Sequence, residues 1–219
     1  MVVLDFVVSC WVPMVGAIGA MALVFCAAKW RSLSVTRKIS GVFVIVLALH
    51  MIEEYALPGG FHYVFNVVQG STNGNAYPLN TLSAMVTNLT AEIVFAVFMF
   101  KGVEKPWIEL LIAFFGIAQT IIHVVFGVMA FGMFQDAGMA FPYTPGMANS
   151  VLLMLPLSIY CIVRLRKSEE LDKRQVLLAV LAAAFLIIGL IRVPVMVLGS
   201  DPSTAYVFAD ADFYQQFLG

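Results

Sequence analysis

WIELLIAFFGIAQTIIHVVFGVMAFGMF, residues 107–134, is an apolar run longer than the roughly 20 helical residues that cross a bilayer core of about 30 Å. Five more stretches, 6–28, 39–57, 79–100, 148–165 and 175–199, have the same character. The whole chain agrees with them: of 219 residues, 62% are hydrophobic and only 11% are charged, against about 45–50% and about 25% in a soluble domain. So few charges cannot coat a water-soluble globule of this size. The sequence therefore predicts an all-α integral membrane protein, a polytopic bundle of six transmembrane helices forming a single domain over 1–219. A soluble enzyme, a disordered scaffold and a nucleic-acid binder are excluded, and the net charge of −1 offers no basic patch.

Lysine and arginine orient the bundle. Eleven of the twelve basic residues fall into three segments: Lys29, Arg31, Arg37 and Lys38; Lys101 and Lys105; and Arg164, Arg166, Lys167, Lys173 and Arg174. Six alternating helices bring these short loops to one side, which the positive-inside rule makes cytoplasmic. Asp5, the uncharged loop 57–80, the loop 135–147 and an acidic tail with Asp201, Asp210 and Asp212 lie opposite. Both termini are expected outside. The N-terminus lacks the basic region of a cleaved leader and reads as the first spanning helix. Cys10, Cys26 and Cys161 are scattered, with no spacing that suggests a disulfide framework or a thiolate metal site.

Two further features concern packing. Gly16, Gly19 and Ala20 give the first helix a small face for close approach, and Pro156 and Pro194 predict kinks in the last two helices.

Ionisable groups inside a bilayer cost roughly 2.5–3.5 kcal/mol or more each, so they point to function. Here they come in sets. His50, Glu53 and Glu54 are spaced i, i+3 and i+4; Asn88 and Glu92 are spaced i, i+4, as are Gln119 and His123; Arg192 lies in the last helix. With a rise of about 1.5 Å per residue, these groups fall in the outer half of the membrane, with Glu92 near the midplane. Exposure of all of them to lipid would be prohibitive, so they are expected to converge inside the bundle. Imidazole and carboxylate together suit zinc, iron, manganese or copper. The sequence thus nominates His50, Glu53 or Glu54, and His123 as ligands of a divalent transition metal, zinc or iron. Glu53, Glu54 and Glu92 are the candidate catalytic carboxylates, and Asn88, Gln119, Tyr143 and Arg192 the candidate substrate-binding groups.

The order His50-Met51-Ile52-Glu53-Glu54, then a buried Asn88, then His123, then Tyr143-Thr144-Pro145-Gly146, resembles the HXXEE family of small multi-spanning membrane proteins. The resemblance runs from about 50 to 146. Asn66 and Asn80 are also available for the asparagine. The family has no settled biochemical function; its polar motifs imply an intramembrane enzyme. Tyr143-Thr144-Pro145-Gly146 reads independently as a turn that shapes the entry to the fifth helix, and the aromatic segment Phe61–Phe65 as an interfacial or re-entrant piece, with His62 at the headgroup level.

Three functions fit this pattern. The first is an intramembrane metal-dependent enzyme, hydrolase or oxidoreductase, acting on membrane lipid or another apolar small molecule. The second is a small proton- or ion-coupled transporter using the same Glu and His residues, although an inverted repeat and a polar path to the cytoplasmic side are missing. The third is an accessory subunit of a membrane complex. The enzyme is the expectation carried forward.

Overall fold

A computed structural model describes residues 2–168 and 171–219, and these are helical throughout apart from turns and loops. Among the described residues, six helices are long and apolar enough to cross a membrane. We label the helices α1 (Val2–Lys29), α2 (Val35–Tyr55), a short α3 (Phe61–Val68), α4 (Thr81–Lys101), α5 (Pro106–Phe134), α6 (Met147–Ser168) and α7 (Lys173–Leu198).

Local chemistry sets the helix ends. The Ser34 side chain accepts from the Arg37 amide and starts α2 four residues before the purely apolar run. Asn80 and Ser83 form a reciprocal capping box at the start of α4, and Gly102, in the left-handed region at φ 67°, closes that helix. Pro106 opens α5, where its missing donor costs nothing.

α2 is the central helix, flanked by α1, α4 and α5, with the first turns of α6 against its end. The contact between α1 and α2 depends on small residues: a Cβ built on Gly19 would stand 2.5 Å from that of Ala48. Gly16 also faces α2, toward Ile52, whereas Ala20 is exposed. The expected proline kinks take a specific form. α6 is π-helical over Ser150–Met154 and α7 over Phe185–Arg192. Each wide stretch contains the residue four before a proline, Leu152 for Pro156 and Leu190 for Pro194. A wide turn there relieves the clash of the ring with that carbonyl.

At the end bearing the basic loops, buried Glu109 of α5 pairs with Arg164 of α6 at 3.1 Å and accepts a short hydrogen bond from Thr36 of α2. This cross-link of three helices has no counterpart in the sequence reading, which treated that half as apolar.

At the opposite end, residues 199–219 fold back as an aromatic strap. Phe208 stacks on His62 at 3.7 Å, and the Phe208 amide donates to the Asn75 carbonyl. Tyr214 donates to the Tyr143 carbonyl at 3.3 Å, and Tyr206 to Asp5 at 3.1 Å. The last bond places both ends of the chain at one end of the bundle. The aromatic segment expected at the interface is α3, docked with Phe61, His62, Val64 and Asn66 buried. Asn66 organises the loop behind it, donating to the Gly74 and Leu79 carbonyls and accepting from the Leu79 amide.

Candidate metal centre

Residues 50 and 54 are one helical turn apart and share a face of α2, whereas residues 53 and 54 diverge by about 100°. The adjacent glutamates therefore have different surroundings. Glu54 turns toward α5, where His123 meets it: Oε1 lies 3.1 Å from His123 Nε2 and 3.5 Å from His50 Nε2. The two imidazoles stand edge to face with centroids 4.7 Å apart. All three side chains are buried, and their ligand atoms lie within 4.8 Å of one another, so the group can hold a metal ion.

The geometry fits that use. Two ligand atoms about 2.0–2.2 Å from a tetrahedral metal stand about 3.3–3.6 Å apart, close to the two distances observed. His50 Nδ1 lies 3.1 Å from the Gly146 carbonyl and 3.3 Å from the Ser150 hydroxyl. A carbonyl only accepts, so Nδ1 carries the proton and the Nε2 lone pair faces Glu54. Nε2 of His50 and Nε2 of His123 find no hydrogen-bond partner among the described residues. A lone pair aimed at a carboxylate in a buried site is stabilised by a cation between them.

Glu53 points to the start of α6. Its Oε1 accepts from Tyr143 Oη at 2.9 Å and the Ala148 amide at 3.0 Å, and its Oε2 from the amide and side chain of Asn149 at 2.8 and 2.7 Å. These four bonds occupy the carboxylate and place it at the positive end of a helix. Of the two glutamates that the sequence nominates, Glu53 or Glu54, the carboxylate beside the histidines is thus Glu54. Burial and the Glu53 charge hold the Tyr143 phenol far above its ordinary pKa, so it stays a donor.

Glu53 also secures the loop that covers the centre. Gly146 sits against the centre at φ 92°, and a Cβ there would strike the His123 ring and come within 2.7 Å of Glu54 Cγ. Only glycine adopts this backbone and leaves this space. The Tyr143-to-Gly146 turn is therefore one device: tyrosine is fastened to Glu53, and glycine lies on Glu54 and His123.

The other nominated residues divide. Asn88 and Gln119 lie with Glu54 in the wall of a cavity of about 90 Å³, otherwise almost wholly apolar. Of the competing asparagines, Asn66 and Asn80 have structural tasks, since Asn80 caps α4 and donates to the Leu198 carbonyl. Glu92 is fully buried one turn beyond Asn88, outside the His50–Glu54–His123 group, and neither of its oxygens has a hydrogen-bond partner among the described residues. Arg192 does not converge on the interior. It is exposed near Gln69 and Ser200, where a long cationic chain reaches the polar boundary. His62 is buried away from the centre and bonded to the strap through the Asp210 carbonyl at 3.1 Å. Nothing in the sequence marks Gly146 and Ser150 as orienting groups for His50, since a backbone carbonyl has no sequence signature and serines are common in such helices.

Fold and site together define a polytopic helical protein with a buried His/Glu centre under a glycine turn. The chain belongs to the HXXEE family: the family model described as "Protein of unknown function with HXXEE motif" matches residues 41–161. No curated protein and no solved structure matches the chain.

Proposed function

We propose that this protein is an intramembrane metal-dependent enzyme, a hydrolase or oxidoreductase acting on a lipid or another apolar molecule. His50, Glu54 and His123 bind a divalent transition metal of the zinc or iron type. The observation that carries the reading is the convergence on one buried carboxylate oxygen, 3.1 and 3.5 Å away, of two imidazole nitrogens that make no hydrogen bond among the described residues. Three protein ligands leave a coordination position open, as in catalytic rather than structural sites. A metal held there supplies a Lewis acid for a substrate oxygen or for water.

The chain's own residues do the rest. The Gly146 carbonyl and Ser150 fix the tautomer and aim of His50. Glu53 holds the covering turn in place, and the apolar cavity beside Glu54 accepts a greasy molecule while excluding bulk water. By the positive-inside rule, this end of the bundle faces the non-cytoplasmic leaflet.

The test is elemental analysis of the purified protein beside His50→Ala and His123→Ala. The expected result is about one metal per chain in the native protein and a loss of about tenfold or more in each variant. Metal below about one-tenth per chain in the native protein, unchanged in the variants, overturns the reading.

A further inference from the structure

The cavity beside Glu54 carries information about what enters it. Its walls come from five helices, with Glu54 on α2, Phe61 on α3, Thr87, Asn88 and Ala91 on α4, Phe115, Gln119 and Ile122 on α5, and Ile191 on α7. Most of this surface is hydrocarbon. Three polar side chains of α4 and α5 interrupt it: Thr87, Asn88 and Gln119. Thr87 is only 7% exposed, yet its hydroxyl has no hydrogen-bond partner among the described residues. A buried hydroxyl without a partner forgoes about 1–3 kcal/mol that a ligand able to bond it would restore.

The helix arrangement shows where a ligand would enter. The part of α7 over Lys173–Ala184 packs on α5, whereas Phe185–Arg192 and Val193–Leu198 pack on α4. α7 thus leans from one neighbour to the other, and the π-helical stretch marks the change. Ile122 of α5 and Ile191 of α7 both line the cavity. Ile122 is also 37% exposed, beside Ile121 at 58% and one turn from Val125 at 49%, so the cavity borders the lipid-facing side of α5. Phe61 and Phe65 of α3 form part of the wall, and Phe208 of the strap stacks on Tyr55, another wall residue, with centroids 6.0 Å apart.

We infer that the cavity seats the head and first carbons of a neutral single-chain amphiphile that enters sideways from the bilayer between α5 and α7, with its hydrogen-bonding head at Thr87, Asn88 and Gln119, the start of its chain along Phe115, Ile122 and Ile191, and the rest of the chain in the bilayer. The inference rests on the proposed function only in taking Glu54 as the reacting end.

The experiment uses the full chain in phosphatidylcholine vesicles and a long-chain primary alcohol bearing a diazirine on its chain. After photolysis, adducts are mapped by peptide mass spectrometry. Adducts are expected within 115–122 and at Ile191. Ala91→Trp, which fills the cavity, and Ile122→Trp, which narrows its mouth from a half-exposed position, are each expected to lower them by about fivefold or more. Adducts confined to lipid-facing positions of α1 and α6, or undiminished in Ile122→Trp with the chain still folded, overturn the pocket. The unlabelled alcohol is expected to compete better than the alkane of equal length, and Thr87→Val to remove that advantage. Equal competition in the native protein, or preferential labelling by a carboxylate-headed probe that Arg192→Gln abolishes, overturns the head assignment. Labelling is also measured in His50→Ala. Adducts that persist there, or in a native protein found free of metal, support the pocket whatever becomes of the metal centre.

Discussion

Glu54 and His123 meet across α2 and α5 with Oε1 and Nε2 3.1 Å apart, while the neighbouring Glu53 spends its carboxylate on four donors from Tyr143, Ala148 and Asn149. Two adjacent glutamates therefore answer different physical demands. One sits among imidazoles in a buried, acceptor-rich centre; the other satisfies the first amides of a helix.

The two tasks separate by mutation. Glu54→Gln is expected to lower metal content by about tenfold or more with little loss of thermal stability, because a neutral amide relieves a buried charge. Glu53→Ala is expected to cost about 3 kcal/mol, a fall in Tm of roughly 6–12 °C. Metal per folded chain in Glu53→Ala should stay within about twofold of the native protein in fresh preparations. Tm and elemental analysis on the same samples check both; a larger metal loss in Glu53→Ala than in Glu54→Gln would reverse the assignment.

Gly146→Ala tests the cover. The methyl group would enter the space of the His123 ring and Glu54, and φ 92° disfavours any side chain. The expected cost is about 2 kcal/mol or more, with metal lost alongside stability. Gly70→Ala is the control: it too has positive φ, at 82°, but open space around it, so backbone strain appears there without the effect on metal.

Much of this was legible in the sequence, for reasons that mark where the rest was hidden. The six spans follow from hydrocarbon thickness, which imposes a minimum length on every crossing helix. His50 and His123 stand out because polar groups in such helices are costly. The choice between Glu53 and Glu54 was not legible: both fit the spacing, and only the direction from which α5 approaches decides it. Arg192 was misplaced inside the bundle because depth along a helix says nothing of its facing. The strap has no periodic signature: Tyr206, Phe208, Phe213 and Tyr214, which do the packing, follow neither a helical nor a strand period. Glu109 and Arg164 lie on different helices, and nothing in the sequence brings them together.

Those two residues contrast with Glu92. Glu109 is paired with Arg164 and accepts from Thr36, so Glu109→Gln removes the charge from a buried ion pair that ties three helices together and is expected to cost about 3 kcal/mol, roughly 6–12 °C in Tm. Glu92 has no hydrogen-bond partner among the described residues, so Glu92→Gln removes a poorly accommodated group and is expected to leave Tm unchanged or raise it. Thermal unfolding in detergent checks both. A fall for Glu92→Gln as large as that for Glu109→Gln would mean that Glu92 has a stabilising partner.

The strap should respond to pH through two groups of opposite sign. Burial lowers the His62 pKa to about 4, from an unfolded value of 6.5. The undocked form then binds the proton more readily, so this contribution to docking is present above 6.5, falls as pH drops toward 4 and can reach about 3 kcal/mol. Asp212, at φ 47° against Gly59, is shifted the other way. Burial first, then the neighbouring Asp210, raise its pKa to about 6 from 3.8. Its contribution is present below 3.8 and lost as pH rises through 6. In the native protein the two trends oppose each other between about pH 4 and 6, and single variants expose them. In Asp212→Asn, acidification from pH 7 to 4 should loosen the strap; in His62→Gln, it should tighten it. Hydrogen exchange of the amides of 206–214, corrected for intrinsic pH dependence, measures both, and the same trend in the two variants would disprove the assignment.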